Sequence, residues 1–463
     1  MFAACSTPAG ISGIAVIRIS GNGCIEALNK IVRPVRGARR AKSLTDLEGY
    51  ESLYGEIKDP DTNEVIDDVV ITVFRTPHSY TGEDMAEISC HGSVAVKQEI
   101  IRLLISIGVE PAGPGQFSRT AFINGKMTLD ETEAVMDVIN ADSKKALAAG
   151  QKIMSGALAQ RIDKAESMLY EAMALIEMIV EFPEHDDTED NEDKVKDLIL
   201  KARAELQNLS DSYGMGRILS ERLKIALIGI PNSGKSTLLN ALSGTDKSIV
   251  TDIPGTTRDA IESNLQVRGI PVTLVDTAGI TSTDDLVEKI GVERSKEVFA
   301  SSDMAFILVP PDMTLEETKT RLDIPRTDVH SVVIFSKSDI GSNPEEEAIR
   351  EYLSSLGVKE FISLSGKDFF NMEAMEDSIE NFYNSCGNGS SEGLLITNGR
   401  HMALIGKALQ FIDMAISAVN DGMGVETASS VLRAALDEMG QITGKTVSAD
   451  LADTIFGRFC IGK

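Results

Sequence analysis

A phosphate-binding loop at residues 229–236 constrains the fold of this chain more than any other stretch. It reads G-x-x-x-x-G-K-S, with a strand-like apolar run at 223–228 before it and a helix-like run after it. Glycines in this setting let backbone N–H groups converge on phosphate at a helix N-terminus. We expect Lys235 to reach the β- and γ-phosphates and Ser236 to ligate Mg²⁺. The full set of residues predicted to line this loop is Gly229, Asn232, Ser233, Gly234, Lys235, Ser236 and Thr237.

The composition limits the classes of function that are open to the chain. A net charge of −26 over 463 residues argues against a broad nucleic-acid-coating surface, although it allows a local basic patch. The five cysteines are scattered without a C-x-x-C pair, which suits a reducing cytoplasm and disfavours a disulfide framework or a zinc site. The N-terminus lacks the basic region of a signal peptide, and no apolar run reaches membrane-spanning length. We therefore expect a cytoplasmic protein of about two or three domains.

Residues 1–123 have the pattern of an α+β domain. Strand-like runs at 14–19 and 69–74 precede a helix predicted at 93–107. Between strand and helix lies a polar, glycine-containing stretch, 77–92, which is predicted to be a loop and is as consistent with a structural loop as with a binding site. Its histidines, His78 and His91, lack a third ligand at metal-binding spacing, so a structural role is favoured.

Residues 124–218 are predicted to be helical. Apolar residues recur at three- and four-residue spacing in 129–140 and 143–180, which is typical of a helical bundle core. An acidic run at 181–193 is predicted to be a solvated loop between helices. Another helix is expected at about 193–215.

Helical patterns return in residues 384–463, after a predicted flexible linker at 385–393. The segments 401–419 and 425–439 have helical periodicity. Because helices precede and follow the nucleotide-binding region, the simplest arrangement is one helical domain with the nucleotide-binding domain inserted in it.

Residues 219–383 alternate strand-like and helix-like runs. The strand-like runs after the first are 271–275, 305–309, 332–335 and 361–364. This alternation predicts a doubly wound parallel sheet, whose ligands bind at the carboxyl ends of the strands. The fold class expected for the whole chain is thus multidomain: an α+β N-terminal domain, a helical bundle domain, and an inserted α/β doubly wound P-loop domain.

Two further motifs are placed to meet the metal ion and the γ-phosphate. Asp276 ends a strand and can hold the water shell of Mg²⁺, and the N–H of Gly279 can meet the γ-phosphate. Thr256 and Thr257 lie in the right order to form a switch loop that completes the Mg²⁺ shell only with the γ-phosphate present. Thr277 and Ala278, which lie between Asp276 and Gly279, belong to the same set of residues predicted to contact the nucleotide.

A base-reading motif follows the strand at 332–335. Residues 336–339 read S-K-S-D and match the pattern N/T-K-x-D except at Ser336. Asp339 would accept hydrogen bonds from the N1–H and the exocyclic amine of guanine, which adenine cannot offer, and Lys337 belongs to the same site. The domain should therefore prefer GTP.

The residues expected to orient the attacking water depart from a common GTPase arrangement. Ile280 stands where many GTPases carry a glutamine, and it cannot hydrogen-bond water. Glu288 is a candidate for that role, although its spacing alone favours a surface charge on a helix. No arginine is an evident finger; Asn232 could instead hold a monovalent cation beside the phosphates.

With these residues considered together, the chain resembles the MnmE (TrmE) family of bacterial tRNA-modification GTPases, within the TrmE–Era–EngA group. The resemblance covers essentially the whole chain. The stretches that carry it are IRISG at 17–21, SYTGED at 79–84, FS at 117–118, AFINGK at 121–126, the phosphate loop at 229–236, GTTRD at 255–259 and FCIGK at 459–463.

The resemblance implies roles for residues in two sites. In the N-terminal domain, which would resemble one-carbon folate-binding domains and form the homodimer, Arg18, Glu87, Lys126 and Lys463 would line the pocket for 5-formyl-tetrahydrofolate or a related one-carbon folate. Ser236 and Thr257 would hold Mg²⁺. The implied K⁺ ligands are Asn232, Thr251, Ile253 and Thr256. Glu288 matches the water-orienting glutamate of the family.

The resemblance also implies partners and an activity. The GTPase domains of the dimer would meet when K⁺ and GTP are bound. With an FAD-dependent partner, MnmG, in a heterotetramer, such proteins install a carboxymethylaminomethyl-type group on carbon 5 of the wobble uridine of certain tRNAs. The acidic charge suits a protein whose complex, rather than the chain itself, makes most of the tRNA contact, and no membrane is implied.

The sequence departs from the family pattern at three places. Ser336 replaces an asparagine that braces the phosphate loop, which predicts weaker nucleotide binding. Ser363-Leu364-Ser365 replaces the Ser-Ala of the last nucleotide motif, and Thr120 stands where an arginine is common.

Two other classes of function stay open at this point. One is a ribosome-assembly switch of the Era or Der type, which the N-terminal domain and the C-I-G-K end disfavour. The other is a folate-binding scaffold with a degenerate GTPase. Intact Lys235, Ser236, Asp276 and Asp339 argue against the scaffold, whereas Ser336 keeps it open.

Overall fold

The computed structural model describes residues 1–35, 43–181, 188–243, 261–276, 297–322, 324, 329–386, 394–420 and 425–462. Its internal contacts divide the chain into two compact units, each built from separate stretches of sequence. The first comprises Met1–Met136, Ile153–Ala202 and Lys407–Lys463. The second comprises Asp137–Lys152 and Arg203–Gly406.

The first unit contains a seven-stranded mixed sheet with the order β3-β4-β5-β6-β2-β1-β7. The strands are β1 (Phe2–Cys5), β2 (Ser12–Ser20), β3 (Val32–Pro34), β4 (Glu51–Lys58), β5 (Val65–Phe74), β6 (Met85–Gly92) and β7 (Glu110–Pro111). Buried and exposed residues alternate along β5, so that Val69, Ile71 and Val73 enter the core while Val70 stays 44% exposed. This two-residue period is that of a sheet with one covered face.

The stretch 77–92 is therefore only partly a loop. Its second half forms β6, which pairs antiparallel with both β2 and β5. The prediction of a loop throughout 77–92 was wrong for residues 85–92, because Met85, Ala86, Ile88 and Cys90 supply the alternating buried positions of a strand.

Three short helices accompany this sheet: α1 (Cys24–Leu28), α2 (Val94–Ser106) and α3 (Gln116–Ile123). α2 begins where Ser93 accepts a hydrogen bond from the N–H of Val96 at 3.1 Å, a typical N-cap. It buries Ile100, Leu103 and Leu104, as the periodicity at 93–107 predicts.

The predicted helices between 124 and 218 exist, but they are more numerous, and the longest predicted one is divided. They are α4 (Leu129–Ile139), α5 (Lys144–Met154), α6 (Ala157–Glu181), α7 (Thr188–Asp211) and α8 (Tyr213–Glu221). The single helix predicted at 143–180 is interrupted at Gly156, whose φ of 84° lies in the left-handed region that ends helices. The acidic run is also not a loop throughout, since α7 begins at Thr188; residues 182–187 lie outside the described part of the chain.

The second unit contains a six-stranded sheet with the order β13-β12-β11-β8-β10-β9. The strands are β8 (Leu223–Ile228), β9 (Ile261–Val267), β10 (Ile270–Asp276), β11 (Met304–Val309), β12 (His330–Phe335) and β13 (Glu360–Ser363). All neighbouring pairs are parallel except β9 and β10, which form an antiparallel hairpin. The doubly wound parallel sheet is present, and β9 is an antiparallel edge strand that the sequence analysis did not predict.

Helices flank these strands and complete the described part of the second unit. They include α9 (Lys235–Ser243), a one-turn helix at Leu315–Glu317 that leads into a π-helical turn at Thr318–Leu322, α10 (Glu346–Ser355) and α11 (Met372–Ser385). β11 is fully buried from Met304 to Val309, as expected for a central parallel strand covered on both faces.

The C-terminal helices are α12 (Gly399–Asn420), α13 (Val425–Thr443) and α14 (Ala449–Phe456), the last of which was not predicted. By length and composition α12 could cross a membrane, with a mean hydropathy of 1.5 over its best window. The sequence analysis found no such run, because Lys407 and Asp413 interrupt the apolar residues. Ile405, Ala408 and Ile412 are fully buried at three- and four-residue spacing, which is the pattern of a core helix, so the membrane signal is weak.

Candidate functional site

The motifs predicted to bind nucleotide follow three strands of the second unit, and all three motifs lie at one edge of its sheet. The phosphate loop follows β8, Asp276 ends β10, and residues 336–339 follow β12. Because these strands are parallel, their carboxyl ends lie at the same edge. This is where ligands bind on open parallel sheets.

Glycine is required in the phosphate loop for two different reasons. At Gly229 a Cβ atom would lie 2.5 Å from Oγ of Ser233 and 3.2 Å from the backbone oxygen of Leu308, so any side chain would force its neighbours to shift. At Gly234 the φ of 101° is one that other residues rarely adopt. Asn232 also has a positive φ, 63°, and its side chain is exposed. The loop backbone therefore has the tight curvature that a phosphate cradle needs.

Lys235 is held by the loop itself. Its ammonium donates to the carbonyl of Ile230 at 3.0 Å and to the carbonyl of Gly229, and the residue is only 5% exposed. Burial lowers the pKa of Lys235, and the negative charge of Asp276 opposes that shift. The pair thus places one positive and one negative group beside the loop.

Ser336 braces the phosphate loop. Its hydroxyl donates to the carbonyl of Ser233 at 2.6 Å, and both residues are buried. The sequence analysis expected weaker nucleotide binding because serine would not brace the loop. That reason was wrong, since Ser336 supplies the bracing hydrogen bond.

Ser365 is a functional candidate that the sequence analysis did not single out. Its hydroxyl donates to Oδ1 of Asp339 at 2.8 Å and accepts from the N–H of Asp368 at 3.3 Å. Ser363, by contrast, meets Asn371 through its backbone carbonyl. The last nucleotide motif therefore centres on Ser365 and Gly366. The sequence did contain a signal for Ser365, because Ser365-Gly366-Lys367 can be aligned with that motif in place of Ser363-Leu364-Ser365.

The donors near the loop suit a hard cation. Ser236 is exposed in the first turn of α9, and the carboxylate of Asp276 ends β10. Hydroxyl and carboxylate oxygens are ligands that Mg²⁺ prefers. Lys337 and Thr237 also belong to this edge, half-buried and exposed respectively. The predicted site residues outside the described part of the chain are Thr251, Ile253, Thr256, Thr257, Thr277, Ala278, Gly279, Glu288 and Lys463.

A second polar cluster lies in the first unit. Arg18 and Glu87 form an ion pair, with Nη2 and Oε1 2.6 Å apart, and Nη1 of Arg18 donates to the carbonyl of Gly462 at 3.3 Å. The guanidinium also lies over the rings of Tyr80 and Phe117, at 5.4 and 5.6 Å from their centroids. The structure thus brings Arg18 and Glu87 together with the C-I-G-K segment.

Lys126 contacts a different part of this unit. Its ammonium donates to the carbonyl of Pro77 at 2.9 Å, which ties it to the SYTGED stretch. Among the hydrogen bonds of the described residues, none joins Lys126 to the Arg18–Glu87 pair.

An apolar cavity of about 760 Å³ also lies in the first unit, in the size range of small-molecule sites. It was not predicted. Its lining residues are Cys5, Thr7, Pro8, Ala9, Val94, Lys97, Gln98, Ile101, Arg102, Ile105 and Ile461.

One of the two histidines of the 77–92 stretch, His91, is paired with a carboxylate. Nδ1 of His91 lies 2.7 Å from Oδ1 of Asp67, and this hydrogen bond raises the pKa of His91. Within the part of the chain that the structure describes, no group of three or more His, Cys, Asp or Glu side chains could hold a metal ion.

Comparison with known proteins supplies the family. The family model described as the MnmE helical domain matches residues 129–460, and the model described as the N-terminus of the GTP-binding protein TrmE matches residues 1–126. The tRNA modification GTPase MnmE of Carboxydothermus hydrogenoformans is 35% identical over 461 residues, which cover 100% of this chain and 99% of that protein. The protein of the same name from Acetivibrio thermocellus is 36% identical over 461 residues, covering 100% and 98%.

The chain belongs to the MnmE family of tRNA modification GTPases. As a member of the MnmE family it is a GTP hydrolase, and its nucleotide substrate is GTP. A solved structure of Aquifex aeolicus Era bound to GDP.AlF4⁻ is also similar, at 23% identity and a TM-score of 0.27, covering 34% of this chain and 56% of that one. A likeness at that level adds nothing to the MnmE assignment.

Proposed function

We propose that this MnmE-family chain is a K⁺-activated, homodimeric GTPase of the cytoplasm. With an FAD-dependent partner, MnmG, it modifies carbon 5 of the wobble uridine of certain tRNAs and uses a one-carbon folate. The observation that carries the GTPase part is the meeting of the phosphate loop, Asp276 and the base-reading Asp339 at one edge of a parallel sheet.

Phosphate binding falls to the loop and its lysine. The backbone N–H groups at the start of α9 and the ammonium of Lys235 bind the phosphate oxygens. That ammonium donates to the carbonyls of Gly229 and Ile230, which hold it inside the loop. Ser336 ties the loop to the end of β12 through its hydrogen bond to Ser233.

Ser236 and Thr257 would hold Mg²⁺, with Asp276 contacting its water shell. When bound, this ion neutralises charge on the β- and γ-phosphates. Glu288 orients the water for in-line attack on the γ-phosphate, because Ile280 cannot. The residues that would hold K⁺ are Asn232, Thr251, Ile253 and Thr256, and the ion would supply the positive charge that other GTPases take from an arginine. Asn232 is part of the phosphate loop, and its side chain is exposed.

The folate site is proposed at the Arg18–Glu87 pair, with Lys126 and Lys463 contributing. An arginine beside two aromatic rings suits a flat, partly anionic ligand such as 5-formyl-tetrahydrofolate. The N-terminal domain would have a folate-binding-like fold and form the homodimer. We place most tRNA contact on the complex with MnmG, since the chain carries a net charge of −26.

The test is GTP turnover in KCl against NaCl at equal ionic strength, with ATP as a control substrate. We expect strong stimulation by K⁺ with GTP and none with ATP. The Asn232→Ala variant should lose the K⁺ stimulation. The control is Asn240→Ala, which changes an exposed asparagine of α9 and should keep the stimulation.

Equal slow rates in both salts would contradict the K⁺ mechanism and support the folate-binding scaffold with a degenerate GTPase. Hydrolysis of ATP as fast as GTP would contradict the role of Asp339.

A further inference from the structure

The hydroxyl of Ser336 is fully committed as a donor. A serine hydroxyl has one proton to donate, and Ser336 donates it to the carbonyl of Ser233 at 2.6 Å. The side chain is buried, with the residue 5% exposed, so water does not compete for that proton. Toward any ligand Ser336 can therefore act only as an acceptor.

A second serine at the base-reading site is committed in the same way. Ser365 donates its proton to Oδ1 of Asp339 at 2.8 Å. The hydroxyls of Ser336 and Ser365 thus both donate their protons within the protein. Ser338, the other serine of the S-K-S-D segment, lines the cavity beside Ser336.

Guanine presents two kinds of edge. Its N1–H and 2-amino groups are donors and match the carboxylate of Asp339, whereas N7 and O6 are acceptors and need donors from the protein. An asparagine at position 336 would carry two N–H donors, enough to brace the loop and to reach the base as well. Serine can do only the first.

We propose that Ser336 makes this GTPase indifferent to N7 of the purine, so that the N1–H and 2-amino edge carries the base specificity. This inference rests on the proposed role of Asp339 as base reader. It assigns to Ser336 a specificity-determining role, in addition to the bracing contact with Ser233.

A cavity of about 100 Å³ adjoins Ser336 and is lined also by Phe335, Ser338, Asn343 and Ser363. Ser336 therefore borders open space, which makes a substitution by the larger asparagine a suitable test of this property. We expect the Ser336→Asn variant to gain selectivity for GTP over an analogue that lacks N7.

The experiment measures kcat/KM and Kd for GTP, 7-deaza-GTP and ITP. 7-Deaza-GTP lacks only the N7 acceptor, and ITP lacks only the 2-amino group. We expect the natural protein to treat 7-deaza-GTP and GTP alike within about twofold, since no hydrogen bond is lost. Ser336→Asn should disfavour 7-deaza-GTP by about three- to tenfold, the usual worth of one hydrogen bond. Ser342→Asn, the same change at another residue lining the cavity, should leave the ratio unchanged.

Two results would overturn the inference. One is discrimination against 7-deaza-GTP of about fivefold or more by the natural protein, which decides the question even if Ser336→Asn fails to fold. The other is a folded Ser336→Asn variant with the same ratio as the natural protein. The measurement with ITP is an independent test. Equal kcat/KM values for ITP and GTP would contradict the role of Asp339, whatever the result with 7-deaza-GTP.

Discussion

Ser365 donates its hydroxyl proton to Oδ1 of Asp339 across 2.8 Å, although the two residues stand 26 positions apart in the chain. Asp339 is exposed, so without this bond its carboxylate would rotate freely in water. Ser365 is 1% exposed and is itself fixed by the N–H of Asp368. The carboxylate is thus oriented by the protein's own side chains.

Removal of this orienting contact should weaken binding without changing chemistry. Ser365→Ala should raise the KM and the Kd for GTP by about three- to tenfold, because one charge-assisted hydrogen bond to Asp339 is lost, and leave kcat within about twofold. Steady-state kinetics with a nucleotide-binding titration measure both. Ser363→Ala tests the alternative motif alignment and should have little effect; a larger effect at Ser363 than at Ser365 would contradict the assignment.

The base preference should be reversible at Asp339. Asp339→Asn offers an amide in place of a pure acceptor, which no longer matches the two donors of guanine but matches the 2-oxo group of xanthine. We expect loss of GTP hydrolysis and gain of XTP hydrolysis, measured as kcat/KM for each nucleotide. A variant that keeps GTP and refuses XTP would show that another residue reads the base.

The cysteines should differ in reactivity because the thiolate is the reactive form. Burial, followed by the charge of Asp84, raises the pKa of Cys24 to about 12, and burial raises the pKa of Cys90 to about 11. Cys460 is exposed. We expect maleimide at pH 8 to label Cys460 first and to spare Cys24 and Cys90, as peptide mass spectrometry would show.

Cys460→Ser should remove the fast phase of labelling, and Cys386→Ser should not. Early labelling of Cys24 in α1 or of Cys90 in β6 would mean that this helix or this strand opens readily in solution.

Gly462 should not tolerate a side chain. Its φ is 92°, and a Cβ atom would lie 2.7 Å from Cα of Ser6 and 2.8 Å from the carbonyl oxygen of Cys5. Gly462→Ala should displace the segment, cost about 1–3 kcal/mol of stability and increase its digestion by carboxypeptidase. Gly10→Ala is the matched control, since nothing lies within 4 Å of its Cβ position. Equal digestion of the two variants would contradict the docked position of Gly462.

Sequence reasoning succeeded where the determinants are local. The strand before Gly229, the helix from Lys235 and the strand ending at Asp276 follow from neighbouring residues and their spacing. The same holds for α2, whose cap and apolar spacing lie within one stretch.

Prediction from the sequence failed where a residue's contact partner is distant in the sequence, or where a single backbone angle decides whether a helix continues. The helix break at Gly156 depends on one left-handed φ, and β9 is a strand because β10 pairs with it. The contact of Ser365 with Asp339 and the brace from Ser336 to Ser233 cross 26 and 103 positions. Such contacts leave no periodic signal.

The hydrogen bond from Oγ of Ser6 to the carbonyl of Gly462 joins residues 456 positions apart. Synthesis proceeds from the N-terminus, so β1 emerges before this partner and waits for it while the residues between them are made. During that interval the site around Arg18 lacks its contact with Gly462, and the whole second unit emerges. The sheet of the first unit is thus begun before the second unit is made, and its polar cluster is completed only afterwards.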